Sequence, residues 1–158
     1  MKCLIHQTRH WLSILERPFQ SFVLLLLRVL IGWQFYLTGK GKLAHFDKTA
    51  DFFESLHIPA PRFHAGFVGT VEMVGGLLLF LGLGTRFAAV PLAISMVVAY
   101  LTDSLPEGKG DIHGFSDAVD FIINAAPFAF LMTCLILLAF GPGKVSLDHL
   151  IAKKFRKP

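Results

Sequence analysis

Charge is what this sequence has least of. Of its 158 residues only 16% are Asp, Glu, Lys or Arg, where a soluble domain carries about a quarter. With 54% hydrophobic residues and a mean hydropathy of +0.60, that shortage argues against a soluble globular chain. Cysteine is scarcer still. Cys3 and Cys134 are far apart and form no CxxC pair, which removes a disulfide framework and a thiol-redox pair. There is no Walker loop, no dinucleotide fingerprint and no nucleophile elbow. No histidine lies between the ends of any expected span, so a haem slung between transmembrane histidines is not expected. His6 and His10 stand four apart without a third ligand, and His113 lies near Asp111 and Asp117. Neither set matches the ligand number and spacing of a specific metal site, and no intrinsic metal or cofactor is expected. The net charge of +4 does not signal nucleic acid, because the basic residues gather at the two ends of the chain and form no surface stripe.

What is present is apolar length, punctuated by glycine and proline. The fold class expected is all-α: one membrane domain over residues 1–158, built as a four-helix transmembrane bundle with short interfacial helices. Residues 1–17 read as a retained amphipathic segment on the membrane surface. Their competing reading, a signal peptide, would need a small-residue cleavage site after the apolar run, and none is seen. Pro18 is expected to open the first helix. The spans are expected at about 21–38, 64–83, 86–102 and 121–140, followed by a basic tail over 141–158. Arg28, Gly32, Phe35, Gly39 and Lys42 follow helical spacing along one stripe of the first. Between the first two spans, Phe46, Ala50, Phe53 and Leu56 predict a short interfacial helix that Pro59-Ala60-Pro61 ends. In the second span Gly69, Glu72, Gly76 and Leu79 share a face with Gly75 beside it, a pattern that lets membrane helices approach closely. Gly82-Leu83-Gly84-Thr85 predicts a very tight turn into the third span, where Pro91 permits a kink. Gly141-Pro142-Gly143 ends the fourth.

Four spans put both termini on one side. Nine Lys and Arg residues fall on that side and five on the other, with Arg28 inside the membrane. The positive-inside bias therefore places both termini in the cytoplasm of a multi-pass inner-membrane protein.

The residues that demand explanation are the intramembrane charges. A carboxylate in an apolar run is costly unless it meets a partner or water, so Glu72 is the first of them and Arg28 the second. Counted from the ends of their spans, Arg28 sits roughly 10 Å deep and Glu72 roughly 15 Å, at 1.5 Å per residue. They are within reach of one another if their helices are neighbours. One reading is a buried ion pair that fixes register. The other is a polar site in which Glu72 exchanges a proton while Arg28 holds it ionised or binds a ligand oxygen, with a quinone ring between apolar helices as a fitting occupant. Glu72 and Arg28 are thus the catalytic candidates, and Lys42, Gly76 and Arg86 the ligand-binding ones. Lys40 and Lys42 are read either as snorkelling at the interface or, with Arg62, as a mouth that attracts anions. Arg86 is read most simply as a cytoplasmic anchor at a helix start; the dipole disfavours a cation there, so a carboxylate or lipid phosphate partner is expected.

The order and spacing of several short pieces resemble the DoxX family of small four-helix membrane proteins, including its DoxD-like relatives. The pieces are Arg28-x-x-x-Gly32 with Gly39-x-x-Lys42, Leu56-His57-Ile58-Pro59-x-Pro61, Glu72-x-x-Gly75-Gly76 with Gly82-x-x-Thr85-Arg86, and Gly141-Pro142-Gly143 with Ser146-Leu147-Asp148. They run from Arg28 to Asp148. The resemblance implies a quinone-linked membrane subunit of an oxidoreductase or redox-stress complex, with a borrowed quinone. The alternative is a non-enzymatic membrane assembly or interaction factor. A small-solute transporter is a weaker third reading, since no inverted repeat is visible. Membrane lipid, partner subunits or further copies of the chain are the expected neighbours.

Overall fold

The computed structural model describes the backbone of residues 2–104 and 123–155, and the side chains of residues 18–102 and 123–155. Among the described residues the elements are helical: α1 (Lys2–Ala44), α2 (Phe46–Ser55), α3 (Pro61–Leu81), α4 (Thr85–Ala99) with a π-helical turn Tyr100–Ser104 at its end, α5 (Ala126–Phe140) and α6 (Leu147–Phe155). Three stretches are long and apolar enough to cross a bilayer: Pro18–Ala44, Pro61–Leu81 and Thr85–Thr102. The fourth expected span is represented by α5, whose 15 residues follow a stretch, 105–122, that lies outside the described residues. His113, Asp111 and Asp117 lie there too, and the side chains of His6 and His10 are likewise outside the described residues.

Two sequence boundaries change. Pro18 does not separate a surface segment from the first span; it lies inside one continuous helix. A proline removes one backbone donor, and in this 43-residue helix that loss is not enough to end it. Nor does the first span stop at Thr38. It runs through Gly39 and Gly41 to Ala44, because Gly39 is buried against α3 and packing overrides its weak helix propensity.

The pair α1–α3 is the backbone of the bundle. The expected stripe is the one that packs: Arg28, Gly32, Phe35 and Gly39 are buried, and so are Gly69, Glu72, Gly75, Gly76 and Leu79 on α3. Glycine is required along this antiparallel seam. A Cβ on Gly32 would lie 2.7 Å from the Phe80 backbone nitrogen, and one on Gly76 would lie 2.5 Å from that of Tyr36. A Cβ on Gly39 would overlap the Met73 backbone. These contacts fix the register. Gly32 faces Gly76, Gly39 faces Gly69, and Arg28 therefore comes level with Gly82 at the α3–α4 turn.

The remaining helices close around this pair. Leu92 on α4 fills the notch left by Gly75. Ala88, Ala89, Leu92 and Ala93 of α4 join Cys134 and Leu137 of α5 and Phe35 of α1 in one core. Helix α2 lies across the N-terminal half of α3 with Ala50 inward, and Phe46, Phe53 and Leu56 half-buried on the same face. Pro61 then opens α3. Large residues such as Phe87, Val90 and Leu30 stay exposed, as lipid-facing side chains should.

Candidate functional site: a charged pair at the base of an apolar cleft

Arg28 and Glu72 do not meet. The depths inferred from sequence assumed that α1 starts at Ser21 in line with the end of α3. The glycine seam shifts α1 so that Arg28 stands at the turn end of α3, and Lys42 takes the place opposite Glu72. Arg28 and Lys42 are fourteen residues apart on one helix, about 21 Å along its axis.

Lys42 Nζ donates to Glu72 Oε1 at 2.6 Å. The Glu72 side chain is 2% exposed and that of Lys42 31%. The extension of α1 past Gly39 makes this pair, since it places Lys42 on the last helical turn and not in a loop. Glu72 Oε2 is buried and accepts no hydrogen bond. Breaking a buried pair by removing one member costs about 3–5 kcal/mol, because the survivor keeps an uncompensated charge.

The pair forms part of the wall of a cleft of about 570 Å³ between α2, α3 and the second half of α4. Phe52, Phe53, Phe67, Val71, Ile94 and Val98 supply apolar surface, and Lys48, His64 and Ser95 add polar groups. Its volume falls within the about 300–1,000 Å³ typical of small-molecule sites, as does the pattern of apolar walls with a few polar groups. Lys48, His64 and the α2 aromatics had no part in the sequence-based site; the interfacial pattern of α2 was the one available signal for the aromatics, and His64 at the start of α3 had none.

The other candidates lie elsewhere. Gly76 packs against α1 and meets no open space. Lys40 is exposed, and Arg62 forms a surface bridge to Asp47 at 2.8 Å while lying over the Phe46 ring, so neither lines the cleft. Arg86 is exposed at the opposite end, donating to the Ala139 carbonyl at 3.3 Å.

That opposite end is a polar clasp. Arg28, 3% exposed, donates from Nη1 to the Pro142 carbonyl and from Nη2 to the Val145 carbonyl, each at 2.8 Å. Gly82 has φ +69°, and any Cβ there would strike the Arg28 guanidinium at 2.5 Å. Asp148 accepts from the Gly84 and Thr85 backbone nitrogens at 2.7 and 3.0 Å, while its own N–H donates to the Gly82 carbonyl. A carboxylate thus meets the N-terminus of α4, where free donors and the helix dipole favour it. The carboxylate sought for Arg86 serves the helix start beside it.

A lipid-facing helical bundle that holds, among the described residues, one ion pair inside its spans beside an apolar cleft is the class of protein these features define. The DoxX family model matches residues 23–103, and the chain belongs to that family. It is 38% identical over 135 residues to the uncharacterized membrane protein Rv3486 of Mycobacterium tuberculosis, covering 81% of this chain and 80% of that one. It is 31% identical to a Bacillus subtilis protein named "Putative oxidoreductase CatD" (82% and 87% covered). It is 27% identical to the inner membrane protein YqjF of Escherichia coli (83% and 93% covered). No solved structure matches.

Proposed function

We propose that this chain is a quinone-linked membrane subunit of an oxidoreductase or redox-stress system, and that the α2–α3–α4 cleft is where a quinone docks. The observation that carries the reading is the cleft itself: about 570 Å³ of mostly apolar space with the Lys42–Glu72 pair in its wall. Its residues fit the group. The aromatic and aliphatic lining suits a ring and the start of an isoprenoid tail, and the Lys42 ammonium, one N–H of which goes to Glu72, has further donors for a carbonyl oxygen. A bound quinone would supply two-electron chemistry that these side chains lack. The chain's own part is to bind and orient the ring, exclude water with the α2 aromatics, and hold a proton-accepting carboxylate beside it. The name of the Bacillus subtilis relative supports an oxidoreductase setting. We read the protein as residing in the inner membrane with both termini cytoplasmic, which puts the cleft in the outer half of the bilayer.

The test is the quinone content of the protein purified in mild detergent. Roughly one quinone per chain in the wild type, lost in a folded Ser95→Phe variant that fills the cleft from α4, is the expected result. No quinone in the wild type would favour the assembly-factor reading.

A further inference from the structure

Glu72 Oε2 is a buried carboxylate oxygen with no donor, in a side chain 2% exposed that lines the cleft. Its sister oxygen takes the Lys42 ammonium. Leaving such an acceptor unmade is expensive, more so for a charged group. The two threonine hydroxyls that line the cleft are engaged elsewhere: Thr49 donates to the Lys42 and His45 carbonyls, and Thr102 to the Val98 carbonyl. The two carboxylate oxygens exchange by rotation about a soft terminal torsion, which turns either one toward the cleft.

We propose that this cleft selects the hydroquinone over the quinone form of its ligand, with a ligand hydroxyl donating to the free oxygen of Glu72 and accepting from Lys42 Nζ. The proposal rests on the quinone reading above. A quinone carries only carbonyl acceptors. It can use the lysine, but it sets a lone pair against the carboxylate. A hydroquinone carries O–H groups that both donate and accept, so one hydroxyl satisfies both members of the pair. Lys42 alone would favour either form, and Glu72 supplies the discrimination.

Binding is measured by anaerobic equilibrium dialysis of the purified protein with three probes: a short-tailed benzoquinone, its hydroquinone, and the dimethyl ether of that hydroquinone. The ether keeps the ring and both oxygens as acceptors, bears a methyl on each, and has no O–H donor. The hydroquinone should bind about tenfold or more tighter than both others, the gain of one charge-assisted hydrogen bond. A tenfold preference also raises the midpoint of the bound two-electron couple by about 30 mV. In Glu72→Gln the amide can donate to a quinone carbonyl, so the preference should vanish or reverse. Equal binding of quinone and hydroquinone, or an ether that binds as tightly as the hydroquinone, overturns this inference and leaves the quinone reading standing. Binding of none of the three by the folded wild type overturns both. A preference that survives unchanged in folded Glu72→Gln removes Glu72 as its source.

Discussion

Lys42 on α1 and Glu72 on α3 form the one ion pair placed inside the bundle among the described residues, 2.6 Å between Nζ and Oε1. If the pair is structural as well as functional, its members should be coupled. Lys42→Met alone should destabilise the protein by about 3 kcal/mol, the low end of the range for broken buried pairs, since Lys42 is partly exposed. The double variant with Glu72→Leu should recover most of that loss. A double-mutant cycle on thermal melts in detergent measures the coupling; additive losses would show that the contact contributes nothing.

The glycine seam makes a sharper prediction. Gly76→Val should cost more than the about 1–3 kcal/mol of ordinary overpacking, because the obstacle is backbone and cannot step aside. Gly41→Ala is the control. It has open space around it within the same helix, and alanine should stabilise by roughly 0.5–1 kcal/mol. Denaturation of the two variants side by side reads both signs.

Asp148→Ala removes the acceptor for two backbone donors at the start of α4 and should cost about 1–2 kcal/mol. Amide exchange should accelerate first at Gly84 and Thr85. Exchange that speeds evenly over the whole bundle would argue against a local cap.

Arg28→Lys tests the clasp from the other side. Lysine keeps the charge but cannot bridge the Pro142 and Val145 carbonyls with a planar fork. The variant should lose stability while, on the reading proposed above, its quinone content stays at the wild-type level, since the clasp lies about 20 Å from the cleft. A loss of quinone at unchanged stability would mean that the two ends communicate.

Much of the bundle was legible because helical period and glycine spacing speak directly about faces. The stripe from Arg28 to Lys42 and the face from Gly69 to Leu79 were both visible, and they are the surfaces that pack. What could not be read was their relative register. Spacing along one helix does not say how far it slides past another, and only the overlap of Gly32 with Gly76 and Gly39 with Gly69 sets that. The sequence therefore puts Arg28 within reach of Glu72, and Lys42 at the interface or an anion-attracting mouth, when a slide of α1 exchanges their roles. The cleft was hidden for a related reason. It draws on α2, α3 and α4 at once, and no single segment carries its signature. The clasp joins residues more than sixty positions apart, from Gly84 to Asp148, beyond any local pattern.

The Asp148 contact also imposes an order on synthesis. The donors at the head of α4 leave the ribosome long before the carboxylate that satisfies them, so the first three membrane segments must enter the bilayer with that end open. Arg28 waits as well, its guanidinium without the two carbonyls that later receive it. The bundle is locked by a segment that is made after the helices it joins, and a nascent protein stalled before that point would present the quality-control machinery with an unsealed end.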